Sequence, residues 1–433
     1  MKISQIILCS LCFYFLAFQF LHAAPPAGDV IGWGDDIAGQ ATGVPSYPFV
    51  NGKVVMTDTP FATGAVVSAS HIVSNVVAVS AGSYHSLLLG SDGTVIGLGD
   101  NFFGEAVGFT NELPYRANGK VRIGGAVLSN VVSIATGRTF SLALKRDGTV
   151  VAWGQQARIE DIPKLEPEDY TGLKGNMPQI DPKTGLLVQP QKAEEKHVIR
   201  VGTLSDGTVA TRLDDQDPVP LSNVVAIVAA PYTEWVLKSD GTVEGWSGLP
   251  SSPDGGRLVS VANLSNVVAI AAGRGDYNTP VALKRDGTLA VFGRETTDKG
   301  TAPPAGLSNV VAVAAGSSYT LALTRDGMVT GWGYDRLGQA TGVPTMNAPN
   351  ISPARQVRID GQTLSNIVAI TAGQGFSMAV KNDGTVIAWG RLANGAYPAT
   401  IPAGLSNIVA IAEGEDFCLA VTTNRAVAEK FRH

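Results

Sequence analysis

One short segment, Leu-Ser-Asn-Val-Val-Ala-Ile and its close variants, returns seven times along the 433-residue chain. An Asp-Gly pair follows six of the seven copies, and a further pair at Asp206 lies inside the longest gap. Periods of this size are typical of supersecondary units that pack against one another, so we expect one ring or solenoid rather than several unrelated domains. The Ser-Asn pairs begin at Ser74, Ser129, Ser222, Ser265, Ser308, Ser365 and Ser406, with spacings of 55, 93, 43, 43, 57 and 41 residues.

Each repeat is predicted to form three short antiparallel strands, and the copy from Ser129 to Gly154 shows them most clearly. Residues 131–135 are apolar or small on both faces, which predicts an innermost strand where sheets converge and side-chain space is short. Phe140 to Lys145 alternates as a second strand, and Asp147-Gly148 predicts a two-residue hairpin with positive φ before a third strand. A large apolar plug recurs in the third strand. It is Trp33, Trp153, Trp246, Trp332 or Trp389, with Leu98 and Phe292 as substitutes.

The sequence therefore predicts an all-β chain, a seven-bladed β-propeller with mostly three-stranded blades. The last copy, from Ser406, lacks a Trp-Gly strand, whereas residues 30–34 form a Trp-Gly strand with no hairpin before it. We expect the N-terminal strand to complete the last blade and so remove exposed sheet edges. Eight blades are the alternative, if the segments around Asp206 form a sheet of their own. A single propeller domain is expected over residues 24–433, with a surface insertion rich in Pro, Lys and Glu at about 155–197.

The first 23 residues are predicted to be a secretory signal peptide. Lys2 precedes an apolar run from Ile6 to Leu21, and Ala23-Ala24 stands before two prolines. A transmembrane anchor is the alternative, since the run is almost long enough to span a bilayer. Cleavage would leave Cys418 as the one cysteine, so no internal disulfide could form. We therefore expect a secreted, periplasmic or cell-surface protein with no membrane span after signal cleavage.

Charge and residue pattern argue against nucleic-acid binding and against several kinds of enzyme. The formal net charge is −5 and no Lys/Arg run occurs, whereas proteins that bind phosphate backbones normally carry a basic patch. We predict no catalytic residue, metal site or cofactor, because the histidines lack metal-ligand spacing and no phosphate-binding loop or nucleophile elbow is present. His85 is interpreted as a packed structural residue, since Phe140, Tyr319, Phe376 and Phe417 fill its position in other copies.

The segment from Val310 to Gly333, VVAVAAGSSYTLALTRDGMVTGWG, resembles the repeat of the regulator of chromosome condensation family of seven-bladed propellers. Gly-Gln pairs after Trp-Gly, at Gly39 and Gly338, with Gly104-Glu105 as a near match, are also similar to that family's longer repeat. Short copies joined by Pro-x-Gly-Leu-Ser-Asn, as at 304–309, look more like the secreted bacterial branch that includes the β-lactamase-inhibitory propellers. The resemblance implies a propeller over most of the mature chain. The founder's nucleotide-exchange role conflicts with the export signal and the acidic charge balance.

Chain direction separates two faces of the predicted ring. The Ser-Asn corners and Asp-Gly turns share one rim, the turn face, while the loops after Ala-Gly and Trp-Gly share the opposite rim, the variable face. Loops on the variable face differ in every copy, as a binding surface would, although unconstrained loops would vary too. Residue types favoured at interfaces predict a partner-binding site on this face, with Trp235 alternatively a core residue. The predicted site residues are Tyr84, Arg138, Tyr232, Trp235, Arg274, Asp276 and Tyr277.

The favoured function is that of a monomeric, non-enzymatic protein that binds an unidentified protein partner, as an inhibitor or adhesion module. A carbohydrate-binding or adhesion propeller is the alternative. A sugar site in every blade predicts the same aromatic and polar set in each copy, which the loops do not show. A lyase or hydrolase would need ionisable side chains in the central channel, where the inner strands offer Ala, Val and Ile instead.

Overall fold

The computed structural model describes residues 26–46, 49–50, 53–54, 61–109, 117–155, 179–180, 187–188, 199–204, 206–213, 217–230, 233–246, 259–261, 264–273, 280–292, 302–345, 350–390 and 401–432. Short antiparallel strands make up nearly all regular structure in these ranges, together with one short helix. Within the same ranges, no helix is long and apolar enough to cross a bilayer.

The strands follow the repeats closely. The N-terminal part contains β1 (Asp29–Asp35), β2 (Phe49–Val50), β3 (Lys53–Val54), β4 (Phe61–Ala65), β5 (Val67–Ser68), β6 (His71–Ile72), β7 (Val76–Ala81), β8 (His85–Gly90), β9 (Val95–Gly99), β10 (Ala117–Lys120), β11 (Arg122–Ile123), β12 (Ala126–Val127), β13 (Val131–Thr136), β14 (Phe140–Lys145) and β15 (Val150–Gly154). The middle part contains β16 (Gln179–Ile180), β17 (Leu187–Val188), β18 (Ile199–Thr203), β19 (Val209–Leu213), β20 (Val219–Pro220), β21 (Val224–Ala229), β22 (Glu234–Lys238), β23 (Val243–Trp246), β24 (Val259–Ser260), β25 (Val267–Ala271), β26 (Val281–Lys284) and β27 (Leu289–Val291). The C-terminal part contains β28 (Val310–Ala315), β29 (Tyr319–Thr324), β30 (Val329–Tyr334), β31 (Ile351–Gln356), β32 (Arg358–Ile359), β33 (Gln362–Thr363), β34 (Ile367–Ala372), β35 (Phe376–Lys381), β36 (Val386–Gly390), β37 (Ile408–Glu413), β38 (Phe417–Thr422) and α1 (Arg425–Lys430).

Within the described residues, seven sheets contain an inner strand that follows a Ser-Asn pair, and we number them as blades. Neighbouring blades contact each other through these inner strands, and blade 7 contacts blade 1, so the described sheets form a closed ring of contacts. The strand orders are β37-β38-β1-β4 in blade 1, β7-β8-β9-β10 in blade 2, β13-β14-β15 in blade 3, β21-β22-β23-β24 in blade 4, β25-β26-β27 in blade 5, β28-β29-β30-β31 in blade 6 and β34-β35-β36 in blade 7.

The sheet around Asp206, formed by β18, β19 and β20, lies beside the outer strand of blade 3. Thr208 bridges to Val151, and the amide of Ala152 donates to the carbonyl of Gly207 at 2.9 Å. Blades 3 and 4 contact each other directly through β13 and β21, so this sheet does not separate them. For the whole chain, seven blades stays the prediction and eight the alternative. The predicted signal peptide and most of the insertion at 155–197 lie outside the described residues.

The N-terminal strand completes the blade that the C-terminal hairpin begins, as predicted. Strand β1 pairs with β38 in a register that sets Trp33 opposite Cys418. Helix α1 then packs against this blade, and the carbonyl of Phe431, just after the helix, accepts from the amide of Ala65 in β4 at 3.0 Å. Strands from the N-terminal and C-terminal parts of the described chain therefore share one sheet, which leaves β38 without an open edge.

Four blades have a fourth strand that the three-stranded prediction did not anticipate. Strands β4, β10, β24 and β31 return antiparallel along the third strand of blades 1, 2, 4 and 6. These outer strands satisfy backbone groups at an edge that would otherwise be open to pairing with other chains. They come from the segments after the third strands, whose patterns are too irregular to predict a strand.

The Asp-Gly turns differ from the predicted two-residue hairpin. In blade 3 the amide of Gly148 donates to Lys145 at 3.0 Å, and the amide of Lys145 donates to Thr149 at 2.9 Å. Only the glycine has a positive φ, 82° for Gly148. The loop is therefore a three-residue type I turn with a glycine bulge. Asp147 accepts hydrogen bonds from the amide and hydroxyl of Thr149 at 3.0 and 2.6 Å, which explains the aspartate as a turn residue.

The predicted apolar plugs lie in the core between blades. Trp33 and Trp332 are both 1% exposed, and Leu98 and Phe292, which replace tryptophan in blades 2 and 5, are also buried. Every inner strand carries a bulge at its second residue. Such bulges increase local twist, which suits strands that converge on an axis. The bulged residues are Val77, Val132, Val225, Val268, Val311, Val368 and Val409.

Candidate functional site

Hydrogen bonds place the Ser-Asn corners beside the Asp-Gly turns on the turn face. In blade 3 the carbonyl of Asn130 accepts from the amide of Arg146 at 2.9 Å, and the amide of Val131 donates to Gly93 in the turn of blade 2 at 3.1 Å. Asparagine tolerates the left-handed conformation that this corner requires better than most residues. The corner asparagines, Asn75, Asn130, Asn223, Asn266, Asn309, Asn366 and Asn407, have φ between 54° and 60°. The turn face is thus built by one repeated backbone pattern.

The variable face is formed by the short turn after each inner strand and by the chain that leaves each third strand. The departing chain donates a backbone hydrogen bond to this turn, which fixes the two loops relative to each other. These bonds join the amide of Asp35 to Asp416 at 2.9 Å, Asp100 to Tyr84 at 2.8 Å, Gln155 to Thr139 at 2.9 Å and Tyr334 to Ser318 at 2.8 Å.

Three loops on the variable face share one construction, and we call them exit loops 1, 2 and 6 (residues 35–46, 100–109 and 334–345). In exit loop 1 the carboxylate of Asp36 accepts from the amides of Ala41 and Thr42 at 2.7 and 3.0 Å, and from the Thr42 hydroxyl. Asn101 accepts the equivalent amide bonds in exit loop 2, and Asp335 does so in exit loop 6.

A second polar side chain closes each exit loop from within. Gln40, Glu105 and Gln339 each accept from the backbone amide two positions earlier, at 2.9, 2.8 and 2.9 Å. Each loop therefore contains one buried carboxyl group and one buried amide. Burial raises the pKa of Asp36 to about 7 and that of Glu105 to about 7, and it also raises the pKa of Asp335.

The exit loops also dock onto the following blade. The carbonyl of Glu105 accepts from the Ser141 hydroxyl and from the Trp153 indole N–H of blade 3, both at 2.8 Å. The carbonyl of Gln339 accepts equivalently from Ser377 and Trp389 of blade 7, at 2.8 and 3.0 Å. In blade 2, where Leu98 replaces tryptophan, Gln40 accepts from Ser86 at 2.7 Å. The loops are therefore structural links between blades as well as surface loops.

Glycine in the third strand makes room for this docking. A Cβ atom added to Gly32, Gly97 or Gly331 would lie 1.9, 1.8 or 1.8 Å from a carbonyl oxygen of the exit loop of the same blade. Blades 3 and 7, which carry no such loop within the described residues, have Ala152 and Ala388 at this position. The glycine before Trp-Gly or Leu-Gly is thus a sequence signal for an exit loop.

Most exposed large apolar side chains of the described residues lie on the variable face. Nine large apolar residues are exposed within the described ranges, and eight of them lie on this face. Seven of those eight belong to the neighbouring blades 1 and 2, and we call them the apolar patch. The patch consists of Ile37, Val44, Phe61, Tyr84, Phe102, Phe103 and Phe109. Phe102 and Phe103 pack edge to face with ring centroids 4.9 Å apart.

Tyr84 stands in a predominantly acidic part of the patch. Glu415 is the main cause of the raised pKa of the Tyr84 phenol, burial adds to it, and Arg138 opposes it. Asp416 and Asp35 raise this pKa further. Burial, and the charge of Glu415, raise the pKa of both Asp35 and Asp416. Three carboxyl groups and one guanidinium group therefore set the electrostatic environment of one exposed phenol ring.

The structure brings two of the predicted site residues together. Tyr84 is 44% exposed and interacts electrostatically with the exposed Arg138 of blade 3. Trp235 is only 8% exposed and packs edge to face against Phe292 at 5.0 Å, so it is a core residue rather than a surface contact. The other predicted residues, Tyr232, Arg274, Asp276 and Tyr277, lie outside the described residues.

The sequence reasoning missed most of the apolar patch. Ile37, Phe102 and Phe109 lie in exit loops. An alignment of these loops would have shown apolar residues within surface turns, where polar residues are usual. Val44, Phe109 and Val343 each follow the last glycine of their exit loop, which is a second recurring position. The acidic residues Asp35, Glu415 and Asp416 come from the two ends of the chain, so only closure of blade 1 brings them together.

His85 and Cys418 are buried in the scaffold. His85 is fully buried, and its Nε2 lies 2.9 Å from the Ser141 hydroxyl oxygen. Since this hydroxyl donates to Glu105, the histidine Nε2 is the donor in the pair. Burial raises the pKa of the Cys418 thiol, which disfavours the reactive thiolate. Within the described ranges, no group of three or more His, Cys, Asp or Glu side chains is placed to hold a metal ion.

Comparison with known proteins identifies the repeat. Residues 76–105, 131–158 and 310–339 match the family described as "Regulator of chromosome condensation (RCC1) repeat". Protein pim1 of Schizosaccharomyces pombe is 24% identical over 270 residues, which cover 60% of this chain and 47% of pim1. The ultraviolet-B receptor UVR8 of Arabidopsis thaliana is 37% identical over 83 residues, or 19% of this chain and 18% of the receptor. The chain thus matches about half or less of the length of these relatives.

The solved structure of human WBSCR16 resembles this chain with a TM-score of 0.59. The match covers 92% of this chain and 100% of the WBSCR16 chain. At 16% sequence identity this likeness concerns the fold alone. The repeat matches and the architecture confirm the predicted resemblance to RCC1-type propellers. Its assignment to the bacterial branch of β-lactamase-inhibitory propellers stays a prediction.

Proposed function

We propose that this RCC1-repeat propeller is an exported, non-enzymatic protein that binds another protein through its variable face. The concentration of exposed apolar side chains in blades 1 and 2 supports the proposal most strongly. Soluble proteins rarely expose clustered large apolar residues without a role for them, whereas single exposed residues need no explanation. On the rest of the described surface, Val343 and Val219 are the two exposed large apolar residues.

The loops that carry the apolar patch are suited to binding because they are held before any partner arrives. Asp36 and Gln40 fix exit loop 1 internally, and Asn101 and Glu105 fix exit loop 2. A partner would therefore lose little affinity to the ordering of these loops. Phenylalanine and tyrosine supply large contact area, and tyrosine is enriched among residues that dominate binding energy.

The N-terminal sequence supports export. We expect residues 1–30, fused to a reporter enzyme that is active only outside the cytoplasm, to give activity in a host of matching type. Replacing Leu16 and Ala17 by lysine should abolish this activity, because charges interrupt the apolar core of a signal peptide. Equal reporter activity from both fusions would contradict the export proposal.

Binding is tested by capture from the organism's extracellular fraction with the purified mature chain. A variant with Phe102→Ser and Phe103→Ser should lose the captured protein, since it removes two adjacent aromatic rings of the patch. The matched control is Val219→Ser, which replaces a 60% exposed apolar residue of β20 outside the patch. Equal loss in both variants, or capture that neither changes, would contradict binding through the variable face.

A further inference from the structure

The apolar patch is bordered by acid on one side, and this asymmetry bears on the chemistry of its partner. Tyr84 lies at the acidic border, where Glu415, Asp416 and Asp35 raise the pKa of its phenol and Arg138 lowers it. Phe102 and Phe103 lie in the exit loop that follows Asp100, whose amide is bonded to the Tyr84 carbonyl. The loops of blade 2 therefore present the aromatic rings, and the loops of blade 1, joined by the bond from the Asp35 amide to the Asp416 carbonyl, present carboxylates that act on Tyr84.

We propose that the apolar patch binds a protein segment in which a Lys or Arg side chain is flanked by apolar residues. The cation would lie against the Tyr84 ring and be neutralised by the carboxylates of Asp35, Glu415 and Asp416. The flanking apolar side chains would cover Phe102, Phe103 and Ile37. This inference rests on the proposed function and names the chemical class of its partner.

Two physical effects favour a cation at this place. An aromatic ring attracts a cation through the negative potential of its face, and the attraction grows when the pair is desolvated. Burial is the main cause of the raised pKa of Asp35 and Asp416, and repulsion by the neighbouring carboxyl group of Glu415 adds to both. A bound cation relieves this repulsion, whereas an acidic segment would increase it.

Burial of one carboxylate oxygen adds to the effect. Asp416 Oδ1 is inaccessible to solvent and has no hydrogen-bond partner within the described part of the chain. Its backbone carbonyl is already occupied by the amide of Asp35 at 2.9 Å. No hydrogen bond thus stabilises this buried oxygen in the described residues, and a cation bound nearby would stabilise the carboxylate.

The test uses three fluorescent peptides of about 12 residues with identical Leu and Trp positions, in which the remaining positions are Arg, Gln or Glu. Binding to the full mature chain is measured by fluorescence anisotropy at about 50 and about 300 mM NaCl. The Arg peptide should bind about fivefold to thirtyfold more tightly than the Gln peptide at low salt, with a smaller difference at high salt. The Glu peptide should bind most weakly.

Variants separate the cation site from the apolar contact. Tyr84→Ala, and the pair Glu415→Gln with Asp416→Asn, should remove most of the preference for the Arg peptide while leaving the Gln peptide nearly unaffected. Phe102→Ser with Phe103→Ser should weaken all three peptides. The matched control is Asp217→Asn with Val219→Ser, an exposed acidic and apolar pair outside the patch, which should change none of them.

Two results would overturn the inference. Equal affinity for the Arg, Gln and Glu peptides that still depends on Phe102 and Phe103 would remove the cation site but leave binding through the variable face. A stable dimer that Phe102→Ser dissociates, seen by sedimentation, would show that a second copy covers the patch instead. Failure of the proposed function is distinguished from both, since it would appear as peptide binding that the Phe102 and Phe103 changes do not affect.

Discussion

At the scale of single residues, the stability of the exit loops on the variable face depends on a few positions, where one added carbon atom or one removed charge should change it. The exit loops lie so close to the third strands that a methyl group has no room. Within these loops, buried carboxyl groups perform the same bonding as a neutral amide does in exit loop 2. Both features can be tested by single substitutions with a control built into the same fold.

Gly97→Ala should lower the free energy of unfolding by about 2–4 kcal/mol, because its Cβ would lie 1.8 Å from the Ala106 carbonyl oxygen. Gly119 pairs with Gly97 across the same sheet, and a Cβ there meets nothing within 4 Å. Gly119→Ala should therefore change stability by less than about 0.5 kcal/mol. Urea unfolding of both variants measures the difference, and similar losses would refute the steric explanation.

Asp36→Asn should make the protein more stable at alkaline pH. Burial raises the pKa of Asp36 from 3.8 to about 7, so the folded state binds a proton that the unfolded state has released between these values. The contribution of Asp36 to stability is thus fully present below the unfolded pKa and is lost as pH rises through the folded value. Asparagine cannot ionise, and Asn101 already performs this role in exit loop 2.

The measurement is urea unfolding of the wild type and the variant at about pH 5 and about pH 8. The stability difference should shift in favour of Asp36→Asn as the pH rises. The exposed control Asp217→Asn should not show this shift. If Asp36→Asn is instead less stable at about pH 8, the hydrogen bonds to the ionised carboxylate outweigh its desolvation.

At the scale of elements, blade 1 is held together by strands from both ends of the chain and by helix α1. Asn424 caps this helix by accepting from the amide of Ala426 at 3.1 Å, and Val427 and Ala428 are buried against the blade. The Arg425 guanidinium also bonds to Asp29 of β1 at 3.0 Å. Apolar burial and backbone pairing, rather than the ion pair, should dominate the attachment, because Arg425 is 53% exposed and its charge is screened by solvent.

Deletion of residues 425–433 should therefore lower stability by about 2–4 kcal/mol, since it exposes the surface under Val427 and removes the acceptor for the Ala65 amide. Arg425→Ala, which removes the exposed ion pairs with Asp29 and Glu429, should have little effect. Thermal unfolding of the two proteins tests this ordering. A larger loss of stability from Arg425→Ala than from the deletion would show that ion pairing, rather than apolar burial, holds the helix to the blade.

At the scale of the whole molecule, the inner strands of the described blades contact one another in a closed ring, in which each blade is supported by two neighbours. The chain between blades 3 and 4 is long, yet their inner strands contact each other directly. The ring therefore does not need the intervening segment to bridge a gap. It also presents two unlike rims, of which the turn face is repetitive and the variable face is not.

Replacing residues 160–195 by a flexible Gly-Ser linker of about ten residues should leave the ring folded. Far-UV circular dichroism should remain that of a β protein, and thermal unfolding should remain a single cooperative transition within a few degrees of the wild type. Loss of cooperative unfolding would mean that the segment contributes to a blade, and it would favour the eight-blade alternative.

The repeat pattern alone determined the strands, the buried tryptophan positions, the turn face and the closure of the ring by the N-terminal strand. These features were predictable because they depend on local rules. Alternation sets which side chains are buried, Asp-Gly marks where a turn occurs although not its type, and a missing strand at one end matches an unpaired strand at the other.

Tertiary structure decided the fourth strands, the burial of Trp235 and the composition of the candidate site. Whether Trp235 is exposed depends on Phe292 of the next blade, which lies 57 positions away in sequence. Likewise, Tyr84 meets Asp35 and Glu415 only because the two ends of the chain close blade 1. Contacts between distant segments set the exposure and the charge environment of a loop residue, and no local pattern encodes them.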